Sequence, residues 1–90
     1  MIRESLIERY LIKRVRQLGG MAVKQVWPGR RGAPDRLVML PNGRVFFVEL
    51  KAPGQKVKDH QLRVHIKLRK LGVMVVVIDD KTQVDEVLGC

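Results

Sequence analysis

Residues 34–51 read PDRLVMLPNGRVFFVELK, two apolar runs that are separated by a turn signal. An Asn-Gly step between apolar runs is the strongest short-range signal for a β-hairpin. If the turn centres on Asn42, the numbers of opposing residues sum to 84, so Asp35 lies opposite Glu49. Cross-strand partners share a face, with Cβ atoms about 5 Å apart, and Lys51, two residues after Glu49, shares that face too. The stretch therefore predicts two carboxylates and an ammonium group at one open end of a small sheet.

The prediction of a joint site depends on the register of this hairpin. A two-residue loop of Asn42 and Gly43 without a bulge would shift the pairing by one residue. Asp35 would then point to the face opposite Glu49, because side chains alternate along a strand. A turn centred on Asn42, or a compensating bulge, is therefore required.

Helices and strands are predicted on both sides of the hairpin. A helix is predicted over 4–18, ended by Gly19-Gly20, then a strand over 21–26 and a basic, Gly/Pro-rich loop over 27–34. A second helix is predicted from an Asp59 N-cap to Leu71, with Val64, Leu68 and Leu71 facing inward. A strand over 73–78 and a short helix over 82–88, capped by Thr82, complete the chain.

These elements predict an α/β protein with the order α-β-β-β-α-β-α. The strand over 44–50 is apolar on both faces, so we expect it in the middle of a mixed sheet that is flanked by helices. The strand over 73–78 follows a helical crossover, so it is most simply parallel to its neighbour. Ninety residues predict one domain, 1–90.

The charge of the chain indicates a polyanionic partner. It has 18 Lys and Arg against 9 Asp and Glu, a formal net charge of +9, which favours nucleic acid over a membrane. The longest apolar run, 73–78, is too short to span a bilayer, and the N-terminus lacks the apolar core of a secretory signal. The single cysteine, Cys90, excludes an internal disulfide and fits a reducing cytoplasm. We expect an intracellular protein of bacterial or viral type, with no membrane association.

Asp35, Glu49 and Lys51 together suit phosphodiester hydrolysis. That reaction requires a hard cation to neutralise developing charge and to lower the pKa of a bound water, and Mg²⁺ takes oxygen ligands that usually include one or two carboxylates. A nearby lysine can orient the attacking water or stabilise the transition state. The alternative is a surface cluster of salt bridges at a strand end.

Two segments and one glutamine resemble the virus-type replication-repair nuclease (VRR-NUC) family of the PD-(D/E)xK superfamily. The segments are 29–36, which reads GRRGAPDR, and 47–54, which reads FVELKAPG, and the glutamine is Gln61. The resemblance implies a restriction-endonuclease-like core and cleavage of DNA that depends on Mg²⁺ or Mn²⁺. It implies Asp35 and Glu49 as metal ligands, joined by the Leu50 carbonyl, with Lys51 as the catalytic lysine and Gln61 beside the scissile phosphate.

The first helix offers two acidic side chains to such a site. The family often adds a glutamate from this helix, within an Ile-Glu pair like Ile7-Glu8. Glu8 is therefore favoured as a further metal ligand and Glu4 is placed below it, although both could simply be solvated acids near a helix N-terminus. His65, one helical turn after Gln61, is a weaker candidate than Gln61.

Basic residues around the predicted site are candidates for phosphate contacts. Arg30 and Arg31, directly before the segment that holds Asp35, are the best placed, and such contacts position DNA without reading its bases. The other candidates are Lys24, Arg36, Lys56, Lys58, Arg63, Lys67 and Lys70. Trp27 could stack on an exposed base or pack against the first helix, and the packing role is favoured.

The sequence thus predicts a structure-selective DNA endonuclease. Small stand-alone members of the family are typically homodimers that act on branched DNA such as four-way junctions, so a homodimer with that substrate class is expected. Two alternatives remain: a non-catalytic, basic DNA-binding module and a nuclease subunit that depends on a partner protein.

Overall fold

Three helices and four strands follow one another in the predicted order. The computed structural model describes residues 3–89, so Cys90, which entered the prediction of compartment, lies outside it. The elements are α1 (Glu4–Gln17), β1 (Met21–Lys24), β2 (Arg36–Leu40), β3 (Arg44–Leu50), α2 (Asp59–Lys70), β4 (Val75–Ile78) and α3 (Lys81–Leu88). The predicted α/β class is confirmed.

The strands form one mixed sheet in the order β1-β2-β3-β4. The pairs β1–β2 and β2–β3 are antiparallel, and β3–β4 is parallel. The parallel pair is joined by the crossover that contains α2, as parallel neighbours require. Strands β1 and β4 are the two edges, and the hairpin strand β3 lies inside the sheet.

The predicted register of the hairpin is confirmed. Arg36 pairs with Val48 and Leu40 with Arg44, so opposing residue numbers sum to 84. A three-residue turn, Pro41–Gly43, joins the strands, with φ of +70° at Asn42 and +76° at Gly43. Asparagine and glycine tolerate this left-handed region better than other residues. The ladder begins at Arg36 and Val48, and by the same sum the next two residues, Asp35 and Glu49, lie opposite each other just beyond it.

The apolar core lies between the sheet and helices α1 and α3. Ile7, Leu11 and Val15, spaced along one side of α1, are fully buried. They pack with the sheet residues Val38, Phe46, Val48, Leu50 and Ile78 and with Val84 and Leu88 of α3. The hydroxyl of Tyr10 donates to the Asp85 carboxylate at 2.9 Å and ties α1 to α3. Helix α2 covers part of the opposite face of the sheet.

Several predicted boundaries and caps were wrong, each for a local reason. Strand β4 begins at Val75 and not at 73, because the Val73 N–H bonds the Leu68 carbonyl and closes the end of α2. Helix α2 has its N-cap at Lys58, one residue before Asp59. Helix α3 is capped by Asp80, whose carboxylate accepts from the Gln83 N–H at 2.8 Å, so Thr82 lies inside the helix. Strand β1 ends at Lys24, two residues before the predicted end, and the chain then continues into the loop that contains Trp27 and Pro28.

Two predictions of burial also failed. Leu71, expected to face inward, is 78% exposed, because it is the C-cap residue where α2 ends. Val45 is 50% exposed although β3 was expected to be covered on both faces. Val45 shares its face with Phe47 and Glu49, and α2 covers only the Glu49 end of that face.

Candidate active site

Asp35 and Glu49 meet where β2 and β3 leave the sheet. Asp35 directly precedes β2, and its Oδ2 accepts a hydrogen bond from the Leu50 N–H at 2.7 Å. The Asp35 and Glu49 carboxyl groups are close enough for a hydrogen bond between them. Glu49 is only 1% exposed. The structure therefore brings the two predicted carboxylates together, one partly open to solvent and one almost wholly buried.

The backbone of Leu50 adds a third oxygen to this end of the sheet. The N–H and C=O of one strand residue point to the same side of the strand. Because the Leu50 N–H points at Asp35, the Leu50 carbonyl faces the same neighbour. The backbone groups on the opposite side of β3 are hydrogen-bonded to β4, where the Lys51 N–H donates to the Ile78 carbonyl at 2.9 Å.

Gln61 joins the acidic pair to Lys51. Its Oε1 accepts from the Lys51 Nζ at 2.8 Å and from the Lys58 backbone N–H at 3.0 Å. Its Nε2 donates to Glu49 Oε2 at 3.2 Å. Both ends of the amide are therefore engaged, which fixes its orientation. The first turn of α2 lies directly against the carboxylates, with the Lys51 ammonium held beside them.

His65 lies one helical turn further along α2 and is fully buried. Its Nε2 is 3.3 Å from Glu49 Oε1, so the two oxygens of Glu49 contact two different residues of α2. His65 Nδ1 is buried with no hydrogen-bond partner in the part of the chain that the structure describes. Sequence reasoning ranked His65 below Gln61. Its spacing of four residues from Gln61 was the one available sign that both side chains reach the same strand.

Burial dominates the electrostatics of this cluster. It raises the pKa of Glu49 to about 8, aided by the hydrogen bond and the charge of Asp35 and opposed by Lys51. Burial also lowers the pKa of His65, and the charges of Arg69 and Lys51 lower it further. His65 is therefore neutral at neutral pH, and its contact with Glu49 is a hydrogen bond between a neutral ring and a carboxyl group.

The two acidic candidates on α1 have different surroundings. Glu8 Oε2 accepts from Arg36 Nε at 2.9 Å, and Arg36 also donates to the Ala22 carbonyl at 3.1 Å. The pKa of Glu4 is raised by burial first and then by the charge of Asp35. Glu4 is thus the α1 acid that is coupled to the site, whereas Glu8 and Arg36, both predicted for functional roles, neutralise each other.

The donor set suits a hard divalent cation. Among residues 3–89 no group of three or more His, Cys, Asp and Glu side chains is placed to hold a metal by itself. Mg²⁺ does not need such a group, because it usually binds through one or two carboxylates, with water and phosphate completing its shell. Asp35, Glu49 and the Leu50 carbonyl supply hard oxygens of that kind.

Exposed cations surround the open end of the sheet. Lys24, Arg30, Arg31, Lys56 and Lys58 are all exposed. The pKa of His60 is lowered by partial burial and then by the charges of Arg31 and Lys58, which places both cations beside the start of α2. Gly32 makes this approach possible. With φ of +92°, a Cβ on Gly32 would lie 2.6 Å from the His60 carbonyl oxygen.

Trp27 packs on the face of the sheet that carries the site. Its ring meets Phe47 edge to face, with centroids 5.9 Å apart and an interplanar angle of 80°. Its Nε1 donates to Gln25 Oε1 at 3.2 Å. The expected packing role is present, but the partner is Phe47 and not the first helix, because α1 lies on the other side of the sheet.

Within residues 3–89, no helix has the length and apolar character needed to cross a bilayer. Comparison with known proteins gave matches of three kinds: a family model, a related protein and a solved structure. The family model of the VRR-NUC domain matches residues 2–81. "Putative nuclease p44" of Acyrthosiphon pisum secondary endosymbiont phage 1 is 56% identical over 81 residues, which cover 90% of this chain and 87% of that protein. A solved structure described as a VRR-NUC domain is 40% identical, with a TM-score of 0.91 over 99% of this chain and 97% of that chain. The profile, the relative and the superposed fold agree, and the chain belongs to the VRR-NUC family.

Proposed function

We propose that this VRR-NUC domain is a metal-dependent, structure-selective DNA endonuclease that cleaves four-way junctions or other branched DNA. Membership of the family and the similarity to a protein named as a nuclease support nuclease activity. The observation that carries the finer proposal is the hydrogen-bonded group of Asp35, Glu49, Gln61 and Lys51 at the open end of the sheet.

The proposed cofactor is Mg²⁺ or Mn²⁺. Asp35, Glu49 and the Leu50 carbonyl would hold it, with Glu4, whose pKa is raised in part by the charge of Asp35, as the further acid. When bound, such an ion neutralises the charge that develops on phosphate and lowers the pKa of a bound water. This assignment moves the tentative ligand role from Glu8 to Glu4, since Glu8 is paired with Arg36.

Lys51 and Gln61 would act on the phosphate and on the attacking water. The Lys51 ammonium is 2.8 Å from Gln61 Oε1 and largely shielded from solvent, so its position is fixed before DNA arrives. A pre-positioned cation is effective in such a site because no reorganisation is needed when charge develops. Gln61 would fix the positions of the Lys51 and Glu49 side chains relative to each other, and His65 would hold the second oxygen of Glu49.

DNA would bind across the basic surface beside the site. Arg30, Arg31, Lys56 and Lys58 are exposed there, and the first turn of α2 presents its positive dipole end to the same region. Such contacts favour phosphates irrespective of base sequence. They suit an enzyme that selects the shape of its substrate.

A homodimer is proposed with an interface on the uncovered part of the sheet. Met21 pairs with Met39 and Met39 with Val45, so the three side chains share one face. Met21 is 61% and Val45 is 50% exposed, beyond the part of that face that α2 covers. Burying such a patch against a second copy would supply apolar area that a chain of this size lacks. A C₂ dimer would also present two sites to a nearly two-fold symmetric junction.

One cleavage experiment tests the proposal. Purified protein is incubated with end-labelled linear, flap and four-way DNA, with Mg²⁺, with Mn²⁺ or with EDTA. We expect metal-dependent cuts in the branched substrates and a loss of about 10²-fold or more in Lys51→Ala and Asp35→Asn, with DNA affinity unchanged or higher. Lys13→Ala, which removes the same charge at an exposed position of α1 on the other side of the sheet, is the matched control.

The alternatives give different results in this experiment. Tight binding without cleavage of any substrate would favour a non-catalytic DNA-binding module. Cleavage that appears only when a cell extract is added would favour a subunit that depends on a partner. Normal cleavage by both Lys51→Ala and Asp35→Asn would place the active site elsewhere.

A further inference from the structure

We infer that a cavity between the 27–31 loop and α2 receives one unpaired nucleobase of the DNA substrate. This inference rests on the proposed function and deepens it, because it names the feature of branched DNA that the domain would grip. The cavity has a volume of about 300 Å³, which is at the small end of the range for ligand pockets. It therefore suits a single ring system better than a longer segment.

The walls of the cavity are apolar and aromatic. Val64, Leu68 and Leu71 line it from α2, and Trp27 lines it from the loop. Leu71 is 78% exposed at the end of the helix, which leaves a large apolar side chain at the cavity with no cover. The flat face of a base covers such a surface well, and stacking on aromatic side chains is available to all four bases.

The remaining lining residues are all cations. Arg30, Arg31 and Lys67 complete the cavity, and none of its lining residues is acidic. Arg30 is held in place because its N–H bonds the Trp27 carbonyl at 3.0 Å. An aromatic ligand that carries phosphates on either side satisfies both parts of this lining, the apolar walls and the positive rim. A second copy of this chain fits less well, because the Arg30, Arg31 and Lys67 rim favours an anionic ligand and the apolar patch proposed for the dimer lies elsewhere, around Met21, Met39 and Val45.

The cavity is adjacent to the candidate active site on both of its walls. The loop that carries Trp27 and Arg31 continues directly into Asp35, and Gly32 packs it against α2. On the helix, Val64 is three residues and Leu68 seven residues after Gln61, which is about 5 and 10 Å along the helix axis. A nucleotide held here would thus lie next to the phosphate presented to Lys51 and Glu49. Flaps, bulges and incompletely paired branch points offer unpaired nucleotides that intact duplex lacks, so the cavity would favour branched DNA of that kind.

The test uses Trp27, which is the only tryptophan of the chain, as a fluorescent reporter. The DNA is a hairpin duplex with a single bulged nucleotide, compared with the same DNA carrying an abasic site at the bulge, both in EDTA so that no cleavage occurs. We expect the bulged base to change Trp27 fluorescence and to bind about tenfold more tightly than the abasic form. Equal affinity and equal fluorescence for the two DNAs would overturn the inference.

A pair of leucine variants ties the effect to the cavity. Leu71→Glu places a carboxylate in the cavity at an exposed position, so we expect the preference for the bulged base to disappear. Leu62→Glu makes the same change at another exposed leucine of α2 that does not line the cavity, and it should keep the preference. If Leu71→Glu keeps the preference for the bulged base, the cavity does not bind a base and the inference fails. It also fails if the only effect of Leu71→Glu is a change in oligomeric state, measured as mass by light scattering.

Cleavage assays with Mn²⁺ separate this inference from the proposed function. Metal-dependent cutting with no distinction between bulged and abasic DNA would defeat the base cavity and leave the nuclease proposal intact. A clear preference for the bulged base without cutting of any substrate would defeat the nuclease proposal and leave a cavity for an unpaired base in a binding module.

Discussion

His65 and Glu49 meet beneath the candidate active site, where Nε2 and Oε1 are 3.3 Å apart and each side chain is only 1% exposed. Gln61 holds the other oxygen of Glu49 from the preceding turn of the same helix. Both oxygens of the buried carboxylate are thereby oriented by α2. A metal ligand that is hydrogen-bonded by its surroundings in this way keeps its geometry, and loss of such partners typically costs 10–100-fold in metal affinity or activity.

Replacing His65 should therefore impair the chemistry as well as the fold. His65→Ala leaves Glu49 Oε1 without its buried partner, so we expect kcat/KM to fall by about 10–100-fold and the free energy of unfolding to fall by about 1–3 kcal/mol. His65→Gln, which restores a donor, should recover part of the activity. His60→Ala, on the same helix, is the control. Full activity in a destabilised His65→Ala would show that His65 is purely structural.

Glu4 and Glu8 should respond differently to the same substitution. Glu4→Gln removes the α1 acid that is coupled to Asp35, so we expect weaker binding of Mn²⁺, by several-fold, in a titration followed by cleavage and by thermal shift. Glu8→Gln removes the partner of Arg36 and should lower the free energy of unfolding by about 1 kcal/mol or less, with metal binding retained. Weaker metal binding in Glu8→Gln alone would restore the ligand role that the sequence favoured.

The raised pKa of Glu49 predicts how stability depends on pH when no divalent cation is present. Between pH 4.5, its ordinary pKa, and about 8, its pKa in the folded protein, the folded chain keeps a proton that the unfolded chain has released. The Glu49 contribution to stability therefore falls as pH rises through that window and levels off above it. Chemical denaturation of the wild type and of Glu49→Gln, at pH 5, 6, 7 and 8, would measure the difference.

A divalent cation should reverse this trend, because it competes with the proton for Glu49. We expect Mg²⁺ or Mn²⁺ to stabilise the wild type more at pH 8 than at pH 6, and to have little effect on Glu49→Gln. A metal effect that is the same size at both values of pH would contradict a site built on this carboxylate.

Affinity for DNA should be strongly salt-dependent. The slope of log K against log salt is expected to be about 0.9 per neutralised phosphate on duplex DNA, and replacing Arg30 and Arg31 by alanine together should lower it by about one to two. Lys13→Ala with Arg16→Ala removes two charges from α1, on the other side of the sheet, and serves as the control. An equal change of slope in both double variants would mean that the salt dependence of DNA affinity reflects net charge and not a specific contact of Arg30 and Arg31.

The proposed dimer interface can be tested with single charges. Val45→Glu places a carboxylate in the exposed patch of Met21, Met39 and Val45, so light scattering at micromolar concentration should change from a dimer to a monomer near 10.3 kDa. Val77→Glu probes the edge strand β4, where Val77 is also partly exposed. If the wild type is already a monomer and still cleaves junctions, the two cuts are made independently.

The parts of the site that could be predicted from the sequence are those set by short-range rules. A turn centred on Asn42 and strict alternation along the strands predicted Asp35 opposite Glu49 without any knowledge of the rest of the fold. His65, Leu71 and Val45 could not be placed in this way, because their burial depends on where α2 begins and ends over the sheet. The choice between Glu4 and Glu8 depends on the rotation of α1, which is set by its packing with the sheet and α3.

The position of α3 has a practical consequence for binding assays. The Arg44 guanidinium donates to the Val87 carbonyl, so the end of α3 lies beside the 41–43 turn. Arg44 and Glu49 are five residues apart on β3, a distance of about 17 Å along an extended strand. An affinity tag or a surface linker that is attached after α3 would emerge at this distal end and leave the DNA-binding face free. A linker attached ahead of α1 would instead start near Glu4, whose pKa responds to the charge of Asp35 in the candidate active site.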